Sequence, residues 1–181
     1  MRAVVVYESM YGNTHVVASN IADGLRESYE VTVVPVAEAI GELAASADLL
    51  VVGGPTHLHG LSSPSSRHRA RQAAAKPDSG LSLDPNAGGP ALRDWLGGLA
   101  ERPGLAAAFD TRLDGASFFT GQASHGIGKL LKRHGYHLIA APESFLVGKG
   151  NALLDGEASR ARRWGEALGA AATIAYVPAH H

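Results

Sequence analysis

The chain has 181 residues, no cysteine and a formal net charge of -1. That length allows one domain with a sizeable core, and the missing cysteine excludes disulfides, thiolate chemistry and cysteine-ligated metals. The near-neutral charge gives neither the basic footprint of a nucleic-acid binder nor the strong acidity that attracts a basic partner. No apolar stretch approaches the roughly 20 residues that cross a bilayer, and the opening RAVVVYESM lacks a signal-peptide cleavage region. The expectation is a cytoplasmic protein with no membrane and no nucleic acid among its partners.

Residues 3–7, AVVVY, form a short β-branched run of the kind buried on both faces of a parallel sheet. Over residues 13–28 the period changes: Val16, Val17, Ile21 and Leu25 recur at helical spacing. Residues 29–36 read as a second strand, 37–46 as a short helix and 47–55 as a third strand running into glycine. Residues 56–89 are rich in Ser, Pro, Gly and His and read as a long loop, with one helical turn around 67–75. Loops of that length inside a compact domain are usually functional. Residues 89–101 read as a helix with Leu92, Trp95, Leu96 and Leu99 on one face. Residues 105–111 form a fourth strand, and 117–121, SFFTG, are ambiguous. A helix over 125–136 has Gly135 as its natural stop. Residues 136–147 carry a fifth strand in two pieces, and 155–175 a closing helix.

This β-α-β alternation predicts an α/β fold in three αβα layers, with a five-stranded parallel sheet between helices. Right-handed crossovers leave two common strand orders, the dinucleotide-binding order and 2-1-3-4-5. One domain over 1–178 is expected, with a loop at about 57–89 and a disordered tail at 179–181.

The turn after the first strand is the most informative stretch. ESMYGNT places Ser9, Met10, Tyr11, Gly12, Asn13 and Thr14 where a strand gives way to a helix. Such a turn leaves unpaired N–H groups at the positive end of the helix dipole and is a ready anion site. Ser9 and Thr14 add hydroxyls, Gly12 permits positive φ, and Asn13 adds an amide donor. There is no lysine, so this is not the phosphate loop G-x-x-x-x-G-K-S/T, nor is it G-x-G-x-x-G. Neutral donors suit a phosphate monoester held as an anchor rather than one being transferred. The third strand ends VVGGPTHLHG and the fourth AAAFDTRLDG, at the sheet edge where such folds bind ligands.

VVYESMYGNT, VVGGPTHLHG and AAAFDTR, in that order and spacing, resemble a flavodoxin-like domain over nearly the whole chain. The long segment after GGPTH and the PESFLV segment are similar to stand-alone flavodoxin-like proteins of actinobacterial type. SMYG also resembles the corresponding stretch of flavodoxin-like NAD(P)H:quinone reductases. Against the family's phosphate pattern, Ser9, Gly12, Asn13 and Thr14 match while Tyr11 stands where Thr is usual. The resemblance implies the strand order 2-1-3-4-5 and FMN as cofactor. Residues 9–14 would hold the phosphate. Pro55, Thr56, His57, Leu58, His59 and Gly60 would line one side of the flavin ring. Asp110, Thr111 and Arg112 would approach its pyrimidine edge.

The chain departs from the family in two respects. Neither ring loop carries the Trp or Tyr that usually stacks on the flavin, which leaves His57, His59, Phe118 or Phe119 for that role. The strong acidity of electron-carrier flavodoxins is also missing, and Arg112 would stabilise negative charge on the reduced ring. The function expected is an FMN-binding redox protein that carries electrons or reduces a small acceptor such as a quinone. NAD(P)H or a redox protein would be its partner, and it would be a monomer or homodimer. The alternative is a cofactor-free binding or regulatory protein of the same fold. His57 and His59 are too isolated from carboxylates to make a metal site. The helix start in GQASHGIGK is a weaker candidate for meeting the phosphate of a nicotinamide dinucleotide.

Overall fold

A computed structural model describes residues 1–57, 60–116 and 120–176. The strands are β1 (Arg2–Tyr7), β2 (Glu30–Pro35), β3 (Leu49–Pro55), β4 (Gly104–Leu113), β5 (Tyr136–Leu138) and β6 (Glu143–Val147). The helices are α1 (Asn13–Leu25), α2 (Gly41–Ala45), α3 (Pro64–Ala74), α4 (Leu92–Gly97), α5 (Ala123–Arg133) and α6 (Glu157–Tyr176). All strand pairs are parallel, in the order β2-β1-β3-β4-β5. β5 pairs with the start of β4 (Gly104 to Ala106) and β6 with its end (Phe109 to Leu113), so one edge position is filled in two pieces, as the sequence suggests. The tail at 179–181 lies outside the described residues.

Side-chain alternation along the strands sorts the core into two layers. Ala3, Val5, Leu49, Val51 and Phe109 pack under α1 and α6. Val4, Val6, Leu50, Val52 and Ala108 pack under α4 and α5. Burying one such Leu, Val or Phe side chain contributes about 1.5–3 kcal/mol. α1 and α6 approach closely because glycine faces backbone on each: a Cβ on Gly24 would stand 2.1 Å from the Arg162 carbonyl, and one on Gly165 2.1 Å from that of Ile21. The end of β3 is glycine for a similar reason, since a Cβ on Gly53 would meet the Phe109 ring at 2.1 Å.

Three expectations change in detail. The helix expected over 37–46 is a 3-10 turn (Val36–Glu38) followed by the five-residue α2. The helix expected over 89–101 shortens to α4 at the Gly97–Gly98 pair, although Leu92, Leu96 and Leu99 are buried together as expected. The largest change is in the supposed loop over 57–89, where the single helical turn expected around 67–75 is the 11-residue α3. A capping box opens α3: Ser63 Oγ accepts from Ser66 N–H while Ser66 Oγ accepts from Ser63 N–H, with Pro64 at the first helical position. The helix buries only Ser66 and Arg67, so hydrophobic periodicity could not reveal it. Among the described residues, no helix is long and apolar enough to cross a membrane.

Candidate functional site

The β1–α1 turn is set by Gly12, whose φ of 92° is the left-handed conformation glycine adopts without penalty. Ser9 Oγ accepts the Gly12 N–H at 3.0 Å and braces the turn from within. The first helical bond runs from Val16 N–H to Gly12 C=O, and no side chain caps the helix. The N–H groups of Asn13, Thr14 and His15 therefore have no partner among the described residues, at the positive end of a 13-residue helix. Asn13 reaches across to the β6–α6 turn, donating from Nδ2 to the Asn151 carbonyl at 3.0 Å. Thr14 and Thr111, both buried, share a hydroxyl–hydroxyl bond of 2.7 Å that ties α1 to β4.

Beside this turn lies a cleft of about 400 Å³. Met10, Tyr11, Asn13 and Thr14 line it from the first turn, Pro55, Thr56 and His57 from the end of β3, and Thr111 and Arg112 from β4. The carboxyl ends of three adjacent strands thus converge on one cavity, which carries two arginines and no carboxylate among its lining residues. Ser9 and Gly12 stand behind the lining and shape the turn instead. Gly60 closes a tight turn with His57, through N–H···O bonds of 2.8 and 3.0 Å. Leu58 and His59 of the ring loop lie outside the described residues, as do Phe118 and Phe119.

Helix α3, expected from the sequence only as one turn around 67–75, supplies a further wall: Ser66, Arg69, Ala70 and Ala73 face the cleft. Its position is fixed from three directions. Tyr11 donates its hydroxyl to the Ala70 carbonyl at 2.8 Å. His57 Nδ1 meets Ser66 Oγ at 3.1 Å. Arg67 turns inward, donating to the carbonyls of Ala87 and Gly89 and lying 3.3 Å from Glu8. Glu8 also accepts the Ser62 hydroxyl at 2.7 Å and the Leu92 N–H at 2.8 Å. Tyr11, one of the residues expected to hold the phosphate, therefore also serves as a strut between the turn and α3. Burial, reinforced by the Arg67 cation, pushes His57 below its ordinary pKa of 6.5 despite the opposing pull of Glu8, so the ring is neutral at pH 7. Asn151, Leu113 and Val147 complete the lining from the far side of β4 and β6.

Asp110 does not line the cleft. Its side chain points to the opposite face of β4, is fully buried, and accepts the Ser124 N–H at 2.7 Å. Thr56 Oγ1 accepts the neighbouring Ala123 N–H at 2.9 Å. The two residues together cap α5, so a carboxylate and a hydroxyl already occupy the helix start that GQASHGIGK offered to a dinucleotide phosphate. Burial raises the Asp110 pKa, partly offset by the Ser124 N–H and the hydroxyls of Ser144, Ser124 and Thr56. Arg112 stays in the lining, and its Nη1 donates to the Gly115 carbonyl at 2.7 Å and the Thr120 hydroxyl at 3.0 Å.

The segment following α3 is docked under the first turn. Asp84 N–H donates to the Met10 carbonyl at 2.8 Å, and its carboxylate lies 3.4 Å from His15 Nδ1. The His15 ring in turn stacks on Tyr7 at 4.7 Å. Burial, with Asp84 and Glu38 nearby, pushes the Tyr7 pKa up to about 12.

Residues 5–84 match the family model described as flavodoxin, a span that includes the end of β1, the turn, β3 and α3. The same strand order and layering recur in a flavodoxin from the domain Archaea, at a TM-score of 0.66 and 17% identity, covering 96% of this chain and 99% of that one. The chain has a flavodoxin-like fold. Oxidised flavodoxin 1 from Bacillus cereus is similar at a TM-score of 0.62 and 16% identity, over 98% and 99% of the two chains. The flavodiiron core of Flv1 from Synechocystis is similar at 0.63 and 18% identity, over 97% of this chain and 36% of the longer protein. No curated protein matches the chain.

Proposed function

We propose that this flavodoxin-like domain binds FMN in the cleft and uses it to pass electrons to a small acceptor. The observation that carries the reading is the uncapped N-terminus of α1 opening beside a cavity that contains hydroxyls, amides and two arginines but no carboxylate. A phosphate dianion is the group such a terminus favours. The N–H groups of Asn13 and Thr14 and the Thr14 hydroxyl would hold it. Pro55, Thr56 and His57 would bound the ring on one side, with Thr111 and Arg112 at its edge. Bound FMN supplies one- and two-electron redox chemistry, while the chain contributes binding, orientation and electrostatics.

Helix α3 favours a small acceptor such as a quinone over a protein shuttle partner, because it walls the cleft that a shuttle keeps open. NAD(P)H or a redox protein would be the electron donor. The alternative, a cofactor-free binding protein, draws on one observation: Tyr11 and His57 are the only rings among the described lining residues, and each is engaged with α3.

The test is the visible absorption spectrum after incubation with FMN and desalting. Flavin bands retained at one equivalent by the wild type, and lost in Thr14→Val, support the proposal. A colourless protein that returns all the FMN overturns it.

A further inference from the structure

The residues of α3 that line the cleft are 66, 69, 70 and 73, the i, i+3, i+4, i+7 stripe of one helix face. In a helix packed on a core that stripe is apolar. Here it reads Ser, Arg, Ala, Ala, and it faces a cavity. The alanines leave space beside Arg69 rather than filling it. The Tyr11, His57 and Glu8 contacts hold the helix on three sides, which keeps position 69 at the cleft.

Arg69 also differs from the other arginines near the site. Arg67 is neutralised by Glu8, and Arg160 by Glu143 and Glu157. Arg112 spends Nη1 on backbone carbonyls and a hydroxyl. Arg69 is exposed and makes no hydrogen bond or ion pair among the described residues. It therefore adds an uncompensated cation to a cleft that already receives the positive end of α1 and has no lining carboxylate. One cofactor phosphate answers the helix terminus; the second cation calls for a second anion.

We propose that Arg69 is the binding residue for the anionic group of a small organic co-substrate, a carboxylate, sulfonate or phosphate on a molecule that enters the cleft beside FMN. This rests on the FMN reading of the same cleft. The five-donor guanidinium fork pairs such groups through charge-assisted bonds, and the α3 wall makes Arg69 a specificity determinant that discriminates anionic from neutral co-substrates.

The probes are 1,4-naphthoquinone and 1,4-naphthoquinone-2-sulfonate, which differ by one sulfonate. Equilibrium dialysis of each is carried out against wild type, Arg69→Ala and Arg69→Lys, both FMN-loaded and without FMN. The wild type is expected to bind the sulfonate roughly fivefold tighter than the neutral quinone, as suits a partly exposed charge pair. Arg69→Ala should abolish that preference and Arg69→Lys retain most of it. Equal binding of both probes by the wild type, or a preference that survives Arg69→Ala, overturns the proposal. So does a fall in FMN affinity of Arg69→Ala with riboflavin affinity unchanged, which assigns Arg69 to the cofactor phosphate. Failure to retain FMN together with an Arg69-dependent sulfonate preference would sink the cofactor reading and leave the anion site standing.

Discussion

The Arg67 guanidinium lies 3.3 Å from the Glu8 carboxylate, with 9% and 4% of the two side chains exposed. The pair joins the residue immediately before the β1–α1 turn to the helix that walls the cleft. Arg67 also satisfies the carbonyls of Ala87 and Gly89, where the chain returns from α3 towards α4. The positions of the β1–α1 turn and of α3 are thus coupled through one buried charge pair.

Removing one partner of a buried pair strands the other. Arg67→Ala is expected to lose about 3–5 kcal/mol of stability in urea unfolding. Replacing both residues, as Glu8→Gln with Arg67→Met, should lose less than Arg67→Ala alone, because no buried charge is left uncompensated. A single Arg67→Ala variant as stable as wild type would show that the pair does not hold α3.

Asp110 links stability to pH. Its folded pKa is raised above the ordinary 3.8, so between 3.8 and the raised value the native state holds a proton that the unfolded chain has released. Stability contributed by this group is therefore present at low pH and declines as pH rises through that window. Asp110→Asn keeps an acceptor for Ser124 N–H and cannot ionise. Chemical denaturation across the acid range should show that this decline disappears in the variant, which is as stable as wild type or more so at pH 7.

Much of this architecture is legible in the sequence because the signals are local. The run AVVVY, the Gly12 turn and the LLVVGGP strand each announce their conformation within a few residues; their alternation with helices yields a parallel sheet, and the family resemblance selects its strand order. The direction of Asp110 was not legible: its neighbours on the strand, Phe109 and Thr111, face the other layer, and a one-residue step in a strand reverses the face. α3 was legible only as a single turn, for a different reason. It packs through a charge pair, a tyrosine hydroxyl and a capping box, none of which leaves a hydrophobic period. Asn151 was out of reach because it stands 138 positions along the chain from Asn13.

Arg112 stands in the lining at the end of β4 while anchoring the turn through Gly115 and Thr120. Its charge favours extra negative charge in the cleft, so Arg112→Ala should lower the midpoint potential of the FMN-loaded protein. A loss of ~1 kcal/mol of electrostatic stabilisation corresponds to roughly 20 mV for a two-electron couple. Spectroelectrochemical titration checks the direction; an unchanged or raised potential would remove Arg112 from any role in tuning the cofactor.

In the proposed function, the uncapped start of α1 grips the phosphate of FMN. Titration with FMN and with riboflavin, followed by quenching of flavin fluorescence, isolates that grip because the ligands differ only in the phosphate. FMN is expected to bind at least about 100-fold more tightly, the ~2.7 kcal/mol equivalent of two charge-assisted hydrogen bonds. Equal affinity for the two, or no binding of either, would contradict the account.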